Sequence, residues 1–316
     1  MDTDRLNGDG AGGSRAEESA AGVDRRPIVG VVGLGAMGRG IVQNLLQKGY
    51  SVVGHDINPQ ALAWLKDQGA SVACDAEDLA CRTRTVVSFV VDNRQTDKVL
   101  FGAFGLAQAL RPGALLIACS TMSPRYLQGL EERLSWSGVE LLDAPVTGGM
   151  VGARQGTLTV MVGGPATRLE RARPVLSTFA GRIVHLGDLP GAGARMKVIN
   201  QLLCGVHIVA AAEALALAQS QGLRLETTLD VLCSGAASSW MLGDRGPRMV
   251  QGAFSEVTSA VDIFVKDLAL VVEAAQAVNA ETPLAQAALH TFRLASAHGW
   301  GALDDSAVLR VLTSDR

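Results

Sequence analysis

The sequence predicts an α/β chain in two parts: a doubly wound parallel sheet, then an all-helical domain. Three observations carry this. Short apolar strands alternate with helical stretches from Pro27 to about Leu186, the pattern of βαβ units laid side by side. A glycine turn, Gly33-Leu34-Gly35-Ala36-Met37-Gly38, joins the first strand to the first helix. Beyond Gly191 the strand pattern stops, and a long apolar run to Leu223 opens a series of helices. The expected divisions are a tail over 1–26, a dinucleotide-binding domain over 27–190 and a helical domain over 191–316.

Length and composition narrow the possibilities. With 316 residues the chain can build two domains around a large core. A net charge of -3 and 48% apolar residues leave no basic surface for nucleic acid and no polybasic segment for a membrane. Residues 1–26 are hydrophilic and lack the apolar stretch of a signal peptide, so a disordered tail is expected. Cys74, Cys81, Cys119, Cys204 and Cys233 stand singly among apolar neighbours, with no CxxC and no Cys/His cluster. They read as small core residues of a reducing, cytoplasmic compartment, with no disulfide framework and no metal site.

The first strand, Ile28–Val32, runs into the glycine turn, a helix continues to Lys48, and a second strand, Ser51–Asp56, ends in a carboxylate. In this context the GxGxxG pattern is that of a Rossmann dinucleotide site. Gly33 makes the tight turn, Gly35 admits a pyrophosphate to backbone N–H groups, and Gly38 lets helix and strand pack closely. Leu34, Ala36 and Met37 belong to the same cofactor loop. Asp56 stands where it would accept the adenosine ribose hydroxyls and repel the extra phosphate of NADP. Ile57, Asn58 and Pro59 offer no arginine to neutralise that phosphate, so NAD is the expected cofactor. A carboxylate opening the following helix is the competing role for Asp56.

The alternation continues with a helix over 59–68, a short strand near Ser71 and a helix from Ala76. Strands over Thr85–Val91 and Ala114–Ala118 follow, then Val139–Pro145, with Leu158–Val162 and Arg182–Leu186 as the last strands of the sheet. Ligands of such sheets lie beyond the carboxyl ends of the strands. Val91 and Asp92, and Ser120 and Thr121, are therefore candidates to line the cofactor cleft, although their side chains could equally cap helices; Ser123 reads as such a cap. Thr147-Gly148-Gly149 exposes backbone N–H groups that would seat a carboxylate, or makes an ordinary glycine turn.

The second half is built around the helix from Gly191 to Leu223. Between Val198 and Leu217 it carries no Lys or Arg and one carboxylate, Glu213. A helix apolar all round is buried, and more cover is needed than one small domain provides, so a homodimer or homotetramer is expected. Lys197, Asn200 and Gln201 share one side of its first turns. An amine and two amides at the mouth of a buried helix point to chemistry; a lysine reaching to solvent is the plain alternative. Further helices are expected near Glu226–Cys233, Val261–Ala277, Pro283–Ala297 and Asp305–Val311. In the second of these, Lys266-Asp267 is either a surface pair or a charge pair facing the cleft.

Four motifs in this order, Gly33–Gly38, Asp143-Ala-Pro-Val-Thr-Gly-Gly149, Gly191-Ala-Gly…Lys197-Val-Ile-Asn200 and Lys266-Asp-Leu268, resemble the β-hydroxyacid dehydrogenase family across nearly the whole chain after the tail. That family includes 3-hydroxyisobutyrate dehydrogenase, tartronate semialdehyde reductase and L-threonate dehydrogenase, and its fold is that of 6-phosphogluconate dehydrogenase. The resemblance implies that Lys197 is the catalytic acid/base, that Asn200 helps hold substrate, that Thr147, Gly148 and Gly149 bind its carboxylate, and that Lys266 lies near the cofactor. Thr147 stands where serine is usual, and Gln201 where many members have asparagine. The run from Asn200 to Ile208 looks closest to the L-threonate dehydrogenase branch. The expected function is hydride transfer between NAD and a small hydroxy acid. An imine reductase or a non-catalytic scaffold on the same fold are the rivals; both usually lack the lysine that Lys197 supplies.

Overall fold

The computed structural model describes residues 26–313; the tail expected over 1–26 therefore lies outside the described residues, save Arg26. The first part runs β1 (Val29–Val32), α1 (Ala36–Gln47), β2 (Val52–His55), α2 (Pro59–Asp67), β3 (Ser71–Val72), α3 (Ala76–Arg82), β4 (Thr85–Ser88), α4 (Asn93–Phe101), α5 (Leu106–Ala109), β5 (Leu115–Ala118), α6 (Pro124–Ser135) and β6 (Glu140–Asp143). These strands form one six-stranded sheet in the order β3-β2-β1-β4-β5-β6, every pair parallel. The reversal of strand order falls between β1 and β4, where open α/β sheets bind ligands. Both sheet faces are covered by buried apolar side chains, Ile41, Leu45 and Ile117 on one and Leu79, Leu116 and Leu127 on the other, which is why the strands are apolar throughout.

Two expectations about this part need correction. β4 ends at Ser88 rather than running to Val91, with the Phe89 N–H still donating to the Val32 carbonyl at 2.8 Å. Next, β7 (Val146–Thr147), α7 (Gly149–Gln155), β8 (Leu158–Val162), α8 (Ala166–Leu176) and β9 (Ala180–His185) do not extend the large sheet. β7, β8 and β9 make a separate three-stranded sheet, in which β7 runs antiparallel to β8 and β9 parallel to it. Asp143 and Gly163 exchange backbone bonds of 3.0 and 2.8 Å where the sheets meet. Apolar pattern reports that a strand is buried; it does not report which neighbour it pairs with.

The second part is helical: α9 (Ala192–Ser220), α10 (Leu225–Ser234), α11 (Trp240–Gln251), α12 (Val261–Gln276), α13 (Pro283–Ala295), a 3-10 turn over Asp305–Val308, and α14 (Leu309–Thr313). α9 is the axis, with Ile208, Ala212 and Leu215 packed among Phe264, Leu268 and Phe292 of its neighbours. Its burial within the chain is one-sided: Met196, Ile199, Leu203 and Leu217 remain 40%, 56%, 50% and 60% exposed. By length and composition it is the one helix among the described residues apolar enough to cross a membrane, yet its covered side packs against the helices around it. The cysteines also depart from expectation. Cys119 is buried and Cys204 and Cys233 are half-buried, but Cys74 and Cys81 are exposed, because the first follows the two-residue edge strand β3 and the second sits on the outer side of α3.

Candidate functional site

Where β1 meets α1, the chain leaves backbone donors open. Gly33 takes a positive φ of 89°, and a Cβ at Gly38 would collide with the Gly33 carbonyl, so turn and helix can meet only through glycine. Gly35 is the N-cap of α1 and supplies no side-chain cap. The first-turn N–H groups are thus left for a ligand, and nothing lies within 4 Å of where a Gly35 Cβ would stand. The residues present fit a dinucleotide pyrophosphate. Asp56 accepts from the Leu34 N–H at 2.6 Å and from the Asn58 N–H at 2.8 Å. The helix-cap role that competed for it is taken by Asn58, whose side chain accepts from the Gln60 N–H at 2.9 Å. One arginine does stand at this turn, from α1: Arg39 donates to the Leu34 carbonyl at 3.2 Å and lies 5.0 Å over the Trp64 ring. Inspection of 57–59 alone could not find it.

Gly35, Ala36, Met37 and Gly38 form one end of a cleft of about 660 Å³ that runs into the helical part. Gly33 and Leu34 lie behind that wall. Val91, Ser120 and Thr121 line the cleft; the Ser120 hydroxyl donates to the Val90 carbonyl at 2.6 Å. Asp92 is placed differently: it caps α4, accepting from the Gln95 N–H at 2.8 Å. Ser123 caps α6 in the same way. Gly148 and Gly149, with φ of 124° and 63°, turn the chain from β7 into α7, and with Thr147 they line the cleft.

Lys197 enters the cleft from the first turns of α9. It is 8% exposed, and its Nζ donates to Gln201 Oε1 at 2.7 Å. The same oxygen accepts from Asn200 Nδ2 at 2.8 Å, while Gln201 Nε2 donates to Asp267 Oδ2 at 2.5 Å. Asp267 Oδ1 pairs with Lys266 Nζ at 2.7 Å, and that amine donates to the Thr121 carbonyl at 3.0 Å. A continuous polar chain therefore links Lys197 to Thr121, with Lys266 and Asp267 both lining the cleft rather than the outer surface. Burial pushes the Lys197 amine below its ordinary value; Asp267 pulls it back up and Lys266 adds to the fall. Asn200 lines an adjoining recess with Thr147, Ile199, Leu203 and His207.

Asp143, 0% exposed, fixes where α9 begins. Its Oδ2 accepts from the Gly191 and Ala194 N–H groups at 3.0 and 2.9 Å, and Oδ1 has no hydrogen-bond partner. Burial pushes its carboxyl up to about 7, against the pull of those N–H groups. One wall was not foreseen at all. α11 brings Trp240, Asp244, Arg245 and Arg248 into the cleft. Its signal was Ser239, which caps the helix by accepting from the Leu242 N–H at 3.0 Å; Gly243, Gly246 and Pro247 hid the rest. Among the described residues no group of three or more His, Cys, Asp or Glu could hold a metal ion.

Comparison with known proteins bears on the same site. Residues 28–187 match the family described as the NAD binding domain of 6-phosphogluconate dehydrogenase. Residues 191–312 match that described as NAD-binding of NADP-dependent 3-hydroxyisobutyrate dehydrogenase. The chain is 43% identical over 283 residues to L-threonate dehydrogenase of Cupriavidus necator, covering 90% of this chain and 95% of the relative. It is 37% identical over 272 residues to 3-hydroxyisobutyrate dehydrogenase of Pseudomonas aeruginosa, covering 84% and 91%. Among solved structures, 3-hydroxyisobutyrate dehydrogenase from Salmonella typhimurium superposes with a TM-score of 0.86 at 43% identity, covering 90% of this chain and 100% of that one.

Proposed function

The chain belongs to the β-hydroxyacid dehydrogenase family, the NAD(P)-dependent oxidoreductases of small hydroxy acids related to L-threonate and 3-hydroxyisobutyrate dehydrogenases, and from that premise we propose that Lys197 is its acid/base group. When bound, the nicotinamide supplies the hydride acceptor and donor. The observation that carries the proposal is a buried amine, made less basic by its surroundings, in the same cleft as the glycine turn and as Thr147, Gly148 and Gly149. In alcohol oxidation neutral Lys197 Nζ takes the hydroxyl proton as the carbon–oxygen double bond forms; in carbonyl reduction the ammonium returns it. Thr147 and the two glycine N–H groups hold the substrate carboxylate. Asn200 reaches the substrate from the side recess, and Gln201 Oε1 fixes the lysine amine. Lys266, tied to Thr121, keeps the cofactor wall in register with α12.

We assign NAD as the preferred cofactor. Asp56 places a carboxylate beside the glycine turn where a 2′-phosphate would bind, and Arg39 is already engaged by Leu34 and Trp64. The exposed apolar stripe on α9 supports a homodimer or homotetramer with that face in contact. The free cysteines support a reducing, cytoplasmic setting. The test of the reaction is direct: purified protein is given NAD and a panel of hydroxy acids, L-threonate first, and formation of reduced nicotinamide is followed. Turnover of one or more acids is expected, and no turnover of any with either NAD or NADP would overturn the reading.

A further inference from the structure

Trp240, Asp244 and Arg248 recur at i, i+4 and i+8 on α11, so one face of the helix presents them together, and all three line the cleft with Arg245. Arg245 is held firmly. Its Nε donates to Asp305 Oδ1 at 2.7 Å and its Nη2 to Asp305 Oδ2 at 2.9 Å, while Nη1 contacts Asp244 Oδ2. Asp305 and Asp244 keep the guanidinium charged although burial opposes the charge. Arg248 Nη2 donates to the same Asp244 Oδ2 at 2.6 Å, and its buried Nε, 3.3 Å from Asp304 Oδ1, makes no hydrogen bond. Asp244 Oδ1 accepts no hydrogen bond from the described residues. A guanidinium carries five N–H donors, and Arg245 uses three of them within the protein. The residues of this cluster that line the cleft therefore hold donors and a carboxylate oxygen that the protein itself leaves unused.

This cluster sits next to the reacting centre. Cys204, two turns along α9 from Lys197, lines the cleft, and both Lys197 and Arg245 lie close enough to pull its thiol down against the upward push of burial. In the α11 cluster three carboxylates, Asp244, Asp304 and Asp305, outnumber the two guanidiniums, so no net positive charge remains for a second substrate carboxylate. What fits a paired donor and acceptor is a hydroxyl, which is both at once. A methyl group there would leave desolvated polar atoms without partners.

Resting on the reading of Lys197 and Thr147–Gly149 as the reacting end, we propose that Asp244, Arg245 and Arg248 form a subsite for the hydroxylated tail of a polyhydroxy acid. The enzyme then selects aldonic acids over alkyl hydroxy acids and over hydroxy dicarboxylates.

The test compares kcat/KM for L-threonate, 3-hydroxyisobutyrate and L-tartrate at saturating NAD, in the wild type, Asp244→Ala, Asp244→Asn and Arg248→Met. Wild type should favour L-threonate over both others by ~10²-fold or more, the scale on which sites built for a hydroxyl reject analogues lacking it. The threonate-to-hydroxyisobutyrate ratio should fall by ~10-fold in Asp244→Ala and in Arg248→Met, and recover in part in Asp244→Asn, which keeps an acceptor oxygen. A wild type that favours the alkyl acid or the dicarboxylate overturns the subsite. So does an unmoved ratio in either truncation whose thermal midpoint and NADH affinity match wild type; the two truncations, at different positions, guard against misfolding of one. If no acid is oxidised, the reaction reading has failed; if the alkyl acid is oxidised without preference for the polyhydroxy acid, only the subsite has.

Discussion

Asp267→Asn removes one negative charge from the polar chain that ends on Lys197 and alters little else. An asparagine retains an acceptor oxygen for Gln201 Nε2, now 2.5 Å from the carboxylate, and Lys266 keeps its 3.0 Å bond to the Thr121 carbonyl. The Gln201 amide spans the gap between Lys197 and Asp267, a charge separation of about 6 Å, where an effective dielectric of about 20 gives an attraction of about 3 kcal/mol. The Asp267 carboxylate therefore holds the amine above where burial alone would leave it. Releasing Lys266 from its 2.7 Å ion pair with Asp267 acts in the same direction. Lys197, already lowered by burial, should therefore fall further in the variant. Alcohol oxidation needs the neutral amine, so its rising limb should move to lower pH. Carbonyl reduction needs the ammonium and should lose rate at neutral pH. The assay is kcat for oxidation across roughly pH 5 to 10, with NADH affinity measured alongside to show that the cofactor wall is intact. A limb that stays in place or moves upward would refute the electrostatic coupling through Gln201.

Asp143→Asn should change stability rather than chemistry. The folded carboxyl sits at about 7, above its ordinary value of 3.8, so its contribution is full below about pH 4 and is lost as pH rises toward 7, on the order of 4 kcal/mol in all. Asparagine keeps an acceptor for the Gly191 and Ala194 N–H groups and does not titrate. Urea unfolding at acidic and at mildly alkaline pH should show a decline in the wild type that the variant lacks, and equal declines would count against the assignment. Asp56→Ala should narrow the advantage of NAD over NADP by removing repulsion while Arg39 stays at the turn; an unchanged ratio of kcat/KM would assign the selectivity elsewhere. Light scattering at micromolar concentration should show a dimer or tetramer, and Leu203→Glu, in the exposed stripe of α9, should weaken it; a wild-type monomer would contradict the interface.

What the sequence made legible was local. The glycine turn, Asp56 and the β1–α1–β2 unit lie within thirty residues of one another, and Lys197 with its two amides lies within five. What stayed hidden depends on long-range contact. The partner of Gln201 is 66 positions away at Asp267, and that distance decides between a surface pair and a cleft pair for Lys266-Asp267. Arg39 reaches the cofactor turn from α1, which no reading of the residues after Asp56 reveals. α11 was missed because Gly243, Gly246 and Pro247 are poor helix formers; tertiary packing of Met241, Leu242 and Met249 outweighs them. The exposed side of α9 was illegible for the opposite reason: a helix apolar on every side carries no mark of which side is covered.

The central claim is that Lys197 moves the substrate proton. Its most direct test is kcat for the best hydroxy acid in Lys197→Ala, with substrate and NAD saturating and the pH profile recorded. A fall of ~10²–10⁴-fold is expected, with loss of the wild-type pH limb and NADH affinity little changed; Lys197→Arg should fail too, because a guanidinium stays protonated. Near-wild-type kcat with an unchanged pH profile in Lys197→Ala would contradict the account and hand the proton to another group.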